Sequence, residues 1–123
     1  MVNEMRENIV KNKSFASAVR VVKLYQFLCE EKREFVLSKQ LLRSGTSVGA
    51  MVREAEHAET KKDFIHKMGV AQKEINESIY WLELLKETDY LKSDQFESIN
   101  KDAVEIIKLI TSIKKATKAN INN

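Results

Sequence analysis

The chain has 123 residues, 43% hydrophobic and 32% charged, with a net charge of +3, no proline, three glycines and one cysteine. This is one domain's length with enough apolar residues for a core, which excludes a disordered protein. The longest stretch free of Asp, Glu, Lys and Arg runs from Ser44 to Val52, too short to span a membrane. The segment MVNEMRENIVKNK has no secretory apolar core, and the lone Cys29 can form no internal disulfide. A cytoplasmic protein with no membrane partner is therefore expected.

Without proline and with so little glycine, long helices are predicted. The first spans about 14–32, with Phe15, Ala18, Val22, Tyr25 and Cys29 at three- and four-residue spacings as its inward stripe. Beside it Val21, Leu24 and Leu28 form a second apolar line. That line fits either a wide contact with two neighbouring helices or a subunit interface, and the interface is the reading preferred. Phe35–Leu37 is ambiguous and too short for an element of its own.

The second helix, about 38–57, turns Leu41, Ser44, Val48, Met51 and Ala55 inward. The third, about 60–87, opens on a Thr60-x-x-Asp63 capping box. Its stripe is Phe64, Met68, Ala71, Ile75, Ser78, Leu82 and Leu85. Tyr80 and Leu84 fall off that stripe and Trp81 lies at its edge, which adds them to the expected oligomer interface. The fourth helix, about 93–118, carries Phe96, Ile99, Ala103, Ile106, Ile110 and Ile113, and the residues from Lys118 to Asn123 are expected to fray. Short connections between four long helices predict an all-α, antiparallel up-down-up-down bundle, a single domain over residues 1–123.

Gly45 and Gly49 each cost about 1 kcal/mol relative to Ala inside a helix. They are read as a close helix–helix approach, within the bundle or between subunits. A phosphate-binding loop is excluded, because the P-loop spacing and its Lys are missing.

Catalytic chemistry is hard to place. Glu54-x-x-His57 and Asp63-x-x-His66 imitate the Glu-x-x-His motif of di-iron bundles, but both flank one turn and no inward Glu on the first or last helix completes the set. Cys29 has no His near it in sequence and reads as a small buried hydrophobe. Ser44 and Ser47 lack a base and an orienting group. No catalytic residue, metal site or cofactor is predicted, and the chain is expected not to be an enzyme.

Charge is uneven. Residues 1–53 hold ten Lys/Arg against five Asp/Glu, whereas residues 54–90 hold five against nine. On the second helix Lys39, Arg43, Thr46, Ala50 and Arg53 follow one outer line with no carboxylate in it. Arg20 and Lys23 flank Phe27 on the first helix, and Lys61 and Lys62 open the third. Such a face suits phosphate-backbone binding, RNA or DNA. An ordinary solvated face, or arginines paired with the acidic third helix of a neighbouring subunit, fits equally.

The run LLRSGTSVGAMVREAE followed by KKDFIHKMGVAQKEINESIYWLELL closely resembles bacterial four-helix-bundle proteins encoded within intervening sequences of 23S ribosomal RNA genes, often labelled S23 ribosomal proteins. The likeness extends over all four helices and is most specific from Arg43 to Leu85. Arg43, Ser44, Ser47, Val48, Gly49, Glu54, Phe64, Lys73, Glu74, Trp81 and Leu82 carry it. Met51 departs from it, standing where many members have Asn, so a polar role there does not carry over. The resemblance implies an antiparallel bundle and a homopentameric ring. The chain is also similar to the accessory variability determinants of diversity-generating retroelements, which are basic pentamers that bind nucleic acid and a reverse transcriptase.

The expectation is thus a non-enzymatic oligomer that binds structured RNA through Arg20, Lys23, Lys39, Arg43, Arg53, Lys61 and Lys62. The alternative is a protein-binding scaffold, for example for a reverse transcriptase, with no nucleic-acid contact.

Overall fold

The computed structural model describes residues 2–121, which form α1 (Val2–Glu30), α2 (Leu37–Glu56), α3 (Lys61–Glu87) and α4 (Ser93–Ile121). Each helix packs on its neighbour in sequence and α1 closes against α4. Among the described residues the backbones of α1 and α3, and those of α2 and α4, stay apart as the diagonal pairs. The chain reverses at each short connection, which makes the antiparallel up-down-up-down bundle that the periodicities predicted.

Two helices are longer than expected. α1 begins at Val2 rather than Ser14, because Val10 is fully buried and anchors the added turns. Ser14, a residue type that often caps, instead donates its hydroxyl to the Lys11 carbonyl oxygen at 3.1 Å inside the helix. α4 stays helical past Lys118 to Ile121, and Asn122 and Asn123 lie outside the described residues.

The connections are closed by specific hydrogen bonds. Thr60 caps α3, its Oγ1 accepting from the Asp63 N–H at 3.0 Å, as the capping box predicted. At the other end of α3, Asp89 takes a left-handed φ of 68°. The Tyr90 N–H then donates to the Leu85 carbonyl and the Asp89 N–H to that of Lys86, which is a Schellman closure.

Between α1 and α2 the buried Glu34 does the capping. Its carboxylate accepts from the N–H groups of Val36, Leu37 and Ser38 at 3.0, 2.7 and 2.8 Å. Ser38 Oγ donates back to the Glu34 carbonyl at 2.8 Å. Burial pushes this carboxyl up, but the three N–H donors and the Ser38 hydroxyl outweigh it and hold Glu34 below the ordinary carboxylate range.

The core has two halves. One is built on Val10, Val48, Met68, Ile75, Ile106 and Ile110, the other on Val21, Leu28, Leu41, Leu82, Leu85 and Phe96. Buried serines lie where the halves meet. Ser78 donates to the Glu74 carbonyl at 3.0 Å and lies 2.9 Å from Ser44 Oγ.

The orientation of α1 reverses the expectation. Val21 is 4% exposed and Leu28 fully buried, with Leu24 packed beside them. The line assigned to a subunit interface is therefore this chain's own core. Of the line assigned to the core, Phe15 and Val22 are exposed and Ala18, Tyr25 and Cys29 only half-buried, with Val19 exposed beside them. The cause lies on α2, where Gly45 leaves the space that Val21 fills.

Candidate interaction surface

The predicted basic residues do not converge. Arg20 lies on the α1–α4 seam, ion-paired with Asp102 and donating to the Ser98 carbonyl at 3.2 Å and Ser98 Oγ at 2.8 Å. Arg43 lies on the opposite, α2–α3 seam, paired with Glu77 and with Glu74 at 3.2 Å. Glu77 also accepts from Trp81 Nε1 at 3.1 Å. The Trp81 and Arg43 hydrogen bonds hold the Glu77 carboxyl below its ordinary value. The outer line of α2 thus meets carboxylates after all, from the chain's own third helix. Spacing along one helix could not show them.

The other cations are distributed between faces. Lys39 is exposed near the start of α2. Lys61 and Lys62 are exposed in the first turn of α3, where the positive end of the helix dipole disfavours cations. Lys61 also borders an open cleft of about 590 Å³ whose walls include Glu4, Glu7, Glu56 and Glu59. Burial, then the charges of Glu4 and Glu56, raise the Glu7 carboxyl.

Arg53 and Lys23 belong together. The Arg53 guanidinium lies 5.1 Å from the Phe15 ring centroid. Lys23 borders a shallow hollow on α1 with Phe15, Ala18, Val19, Val22 and Gln26. Phe15 is 54% exposed, and Met5 and Ile9 continue the exposed apolar residues toward the start of α1. This apolar face rimmed by two cations was missed. The three-and-four spacing of Phe15, Ala18 and Val22 was visible, but nothing in α1 alone says which of its two apolar lines points inward.

Of the expected interface residues on α3, Tyr80 is 56% exposed and meets Trp81 edge-on, ring centroids 5.0 Å apart. Trp81 is half-buried against the core and Leu84 half-buried. Glu83 and Glu87 are exposed on the same stretch.

The histidine motifs do not form a centre. Glu54, His57 and His66 are exposed, and among the described residues no three His, Cys, Asp or Glu stand close enough to hold a metal. Cys29 is half-buried, its Sγ 3.9 Å from Ser38 Oγ. No described helix is long and apolar enough to cross a membrane.

Four antiparallel helices in a ring, with buried serines between the two halves of the core, define a small four-helix bundle. Over residues 6–112 the sequence matches the family described as 23S rRNA-intervening sequence protein. The chain belongs to that family. A solved structure of a protein of unknown function from the S23 ribosomal protein family of Bacteroides thetaiotaomicron VPI-5482 is similar to it, at 57% identity and a TM-score of 0.89. The match covers 89% of this chain and 98% of that one. No curated protein matches.

Proposed function

We propose that this chain is a non-enzymatic cytoplasmic bundle that assembles with copies of itself and presents the assembly to structured RNA. The outer face of α1 carries this reading, because an apolar stripe of that length is rarely left in water on a monomer. α1 and α3 stand diagonally across the bundle, so their outward faces point in opposite directions. One is apolar with Lys23 and Arg53, the other aromatic with Glu83 and Glu87. Complementary faces on opposite sides of one chain make head-to-tail contacts, and these close into a ring when the rotation allows. A ring of five is the closed form the family resemblance implies.

RNA is supported by Lys39, Lys61 and Lys62, which remain exposed. A phosphate beside Lys61 and Lys62 would offset their repulsion from the α3 dipole. The test is a titration of a structured rRNA fragment across salt concentrations, on protein of measured mass. Binding that weakens steeply with salt supports the reading, and no binding at low salt ends its RNA part.

The same apolar face also favours a second reading, a scaffold for a different protein such as a reverse transcriptase. Charge reversal at Lys39 and Lys62 would then leave function intact, whereas Val19→Asp or Tyr80→Asp would abolish it.

A further inference from the structure

Phe35 and Val36, 51% and 72% exposed, stand at the tip of the α1–α2 connection. The tip is held firmly. Arg33 takes a left-handed φ of 54°, the Glu34 N–H donates to the Leu28 carbonyl at 2.9 Å, and the buried Glu34 carboxylate fixes the N–H groups of Val36, Leu37 and Ser38. A left-handed arginine and a buried carboxylate thus serve to display two apolar side chains that join no core.

The chemistry around the tip narrows the occupant. The Arg33 guanidinium carbon lies 5.3 Å from the Phe35 ring centroid. Lys32, on the same connection, stands 6.0 Å from the centroid of Phe27 near the end of α1, and Lys39 is exposed in the first turn of α2. Glu30 and Glu31 are exposed at the end of α1, while the charge of Glu34 is taken up by the α2 N–H groups. The apolar hollow on α1 of a second copy would meet this tip with Lys23 and Arg53, like charge against like. An aromatic ring backed by arginine and flanked by lysines suits a base with its neighbouring phosphates. In folded RNA the bases free to stack this way lie in loops, bulges and ends.

We infer that the Phe35 tip stacks an unpaired RNA nucleotide, with Lys32, Arg33 and Lys39 on the adjacent phosphates. This rests on the RNA reading above and names its contact point. The experiment compares a labelled single-stranded RNA oligonucleotide and a duplex RNA by fluorescence anisotropy, using the wild-type chain, Phe35→Ala and Phe35→Trp. Phe35→Ala is expected to weaken single-strand binding about tenfold and leave duplex binding unchanged, with Phe35→Trp restoring it. Phe35 is exposed, so both variants should melt like the wild type, which circular dichroism checks. If the wild type binds RNA and Phe35→Ala binds it equally well, the tip is not the site although the RNA reading stands. If the wild type binds neither RNA, both are wrong. Loss of binding to anionic lipid vesicles in Phe35→Ala, with RNA binding unchanged, would make the tip a membrane contact and overturn the inference.

Discussion

Gly45 lies so close to Val21 that a Cβ on the glycine would stand 2.8 Å from Val21 Cγ1 and 2.9 Å from its Cγ2. That contact sets the rotation of α1. With Val21 seated on Gly45, Leu28 falls into the core and Phe15, Val19 and Val22 turn to solvent. The two glycines of α2 differ here, since a Cβ on Gly49 would meet Ser14 O at an ordinary 3.5 Å. Gly45→Ala should therefore destabilise the fold by about 1–3 kcal/mol through overpacking against a stiff, buried valine. Gly49→Ala should be neutral or gain up to about 1 kcal/mol in helix propensity. Urea melts measure both. Adding Val21→Ala to Gly45→Ala should recover part of the loss by freeing the space, and a loss that stays or grows would contradict the contact.

Glu34 links stability to acid. Its pKa is lower folded than the ordinary 4.5, so its contribution is complete above that value and is lost as pH falls through the folded one. Glu34→Gln should cost about 1–3 kcal/mol near neutral pH, since the N–H groups of Val36, Leu37 and Ser38 lose their charged acceptor. The wild type and the variant should converge in melting temperature well below pH 4.5. A constant gap across that range would show that the carboxylate charge is not what matters.

Glu7 has the opposite sign. Burial and the neighbouring Glu4 and Glu56 raise its pKa, so ionising it opposes folding once pH rises past the unfolded value. Glu7→Gln should raise the melting temperature at pH 7 and leave it nearly unchanged at pH 4. An equal effect at both would remove charge crowding as the cause.

The buried serine pair makes a double-mutant prediction. Ser44→Ala or Ser78→Ala alone takes one hydroxyl from a contact of 2.9 Å inside the core. Removing both should cost less than the two single losses added together. Strict additivity would show that the two hydroxyls do not interact.

Much of the bundle was legible because three helices carry one apolar stripe each. The inward residues of α4 from Phe96 to Ile113 are buried as expected, and so are those of α3 from Met68 to Leu85. On α2, Leu41, Ser44, Val48 and Ala55 are buried as expected, and only Met51 gives way to its neighbour Val52. α1 was misread because it is apolar nearly all the way round. Its bulkiest line looked like core, while the choice between lines was made by a glycine on another helix. The surface suffered from the same locality. The basic spacing of α2 was visible, but the Glu74 and Glu77 that engage Arg43 lie more than 30 positions on. Glu34 and Phe35 were passed over because a short connection shows no periodicity. Only the folded loop reveals that the carboxylate caps α2 and the ring is left outside.

Head-to-tail assembly through the outward faces of α1 and α3 is tested most directly by mixing two variants in analytical ultracentrifugation. Phe15→Asp disables the α1 face and Tyr80→Asp the α3 face, and both sites are exposed enough to spare the fold. Each variant alone should sediment as a monomer. The mixture should form a one-to-one dimer that grows no further, since it holds one intact copy of each face. A wild type that is monomeric at tens of micromolar, or a mixture that stays monomeric while the wild type assembles, would contradict it.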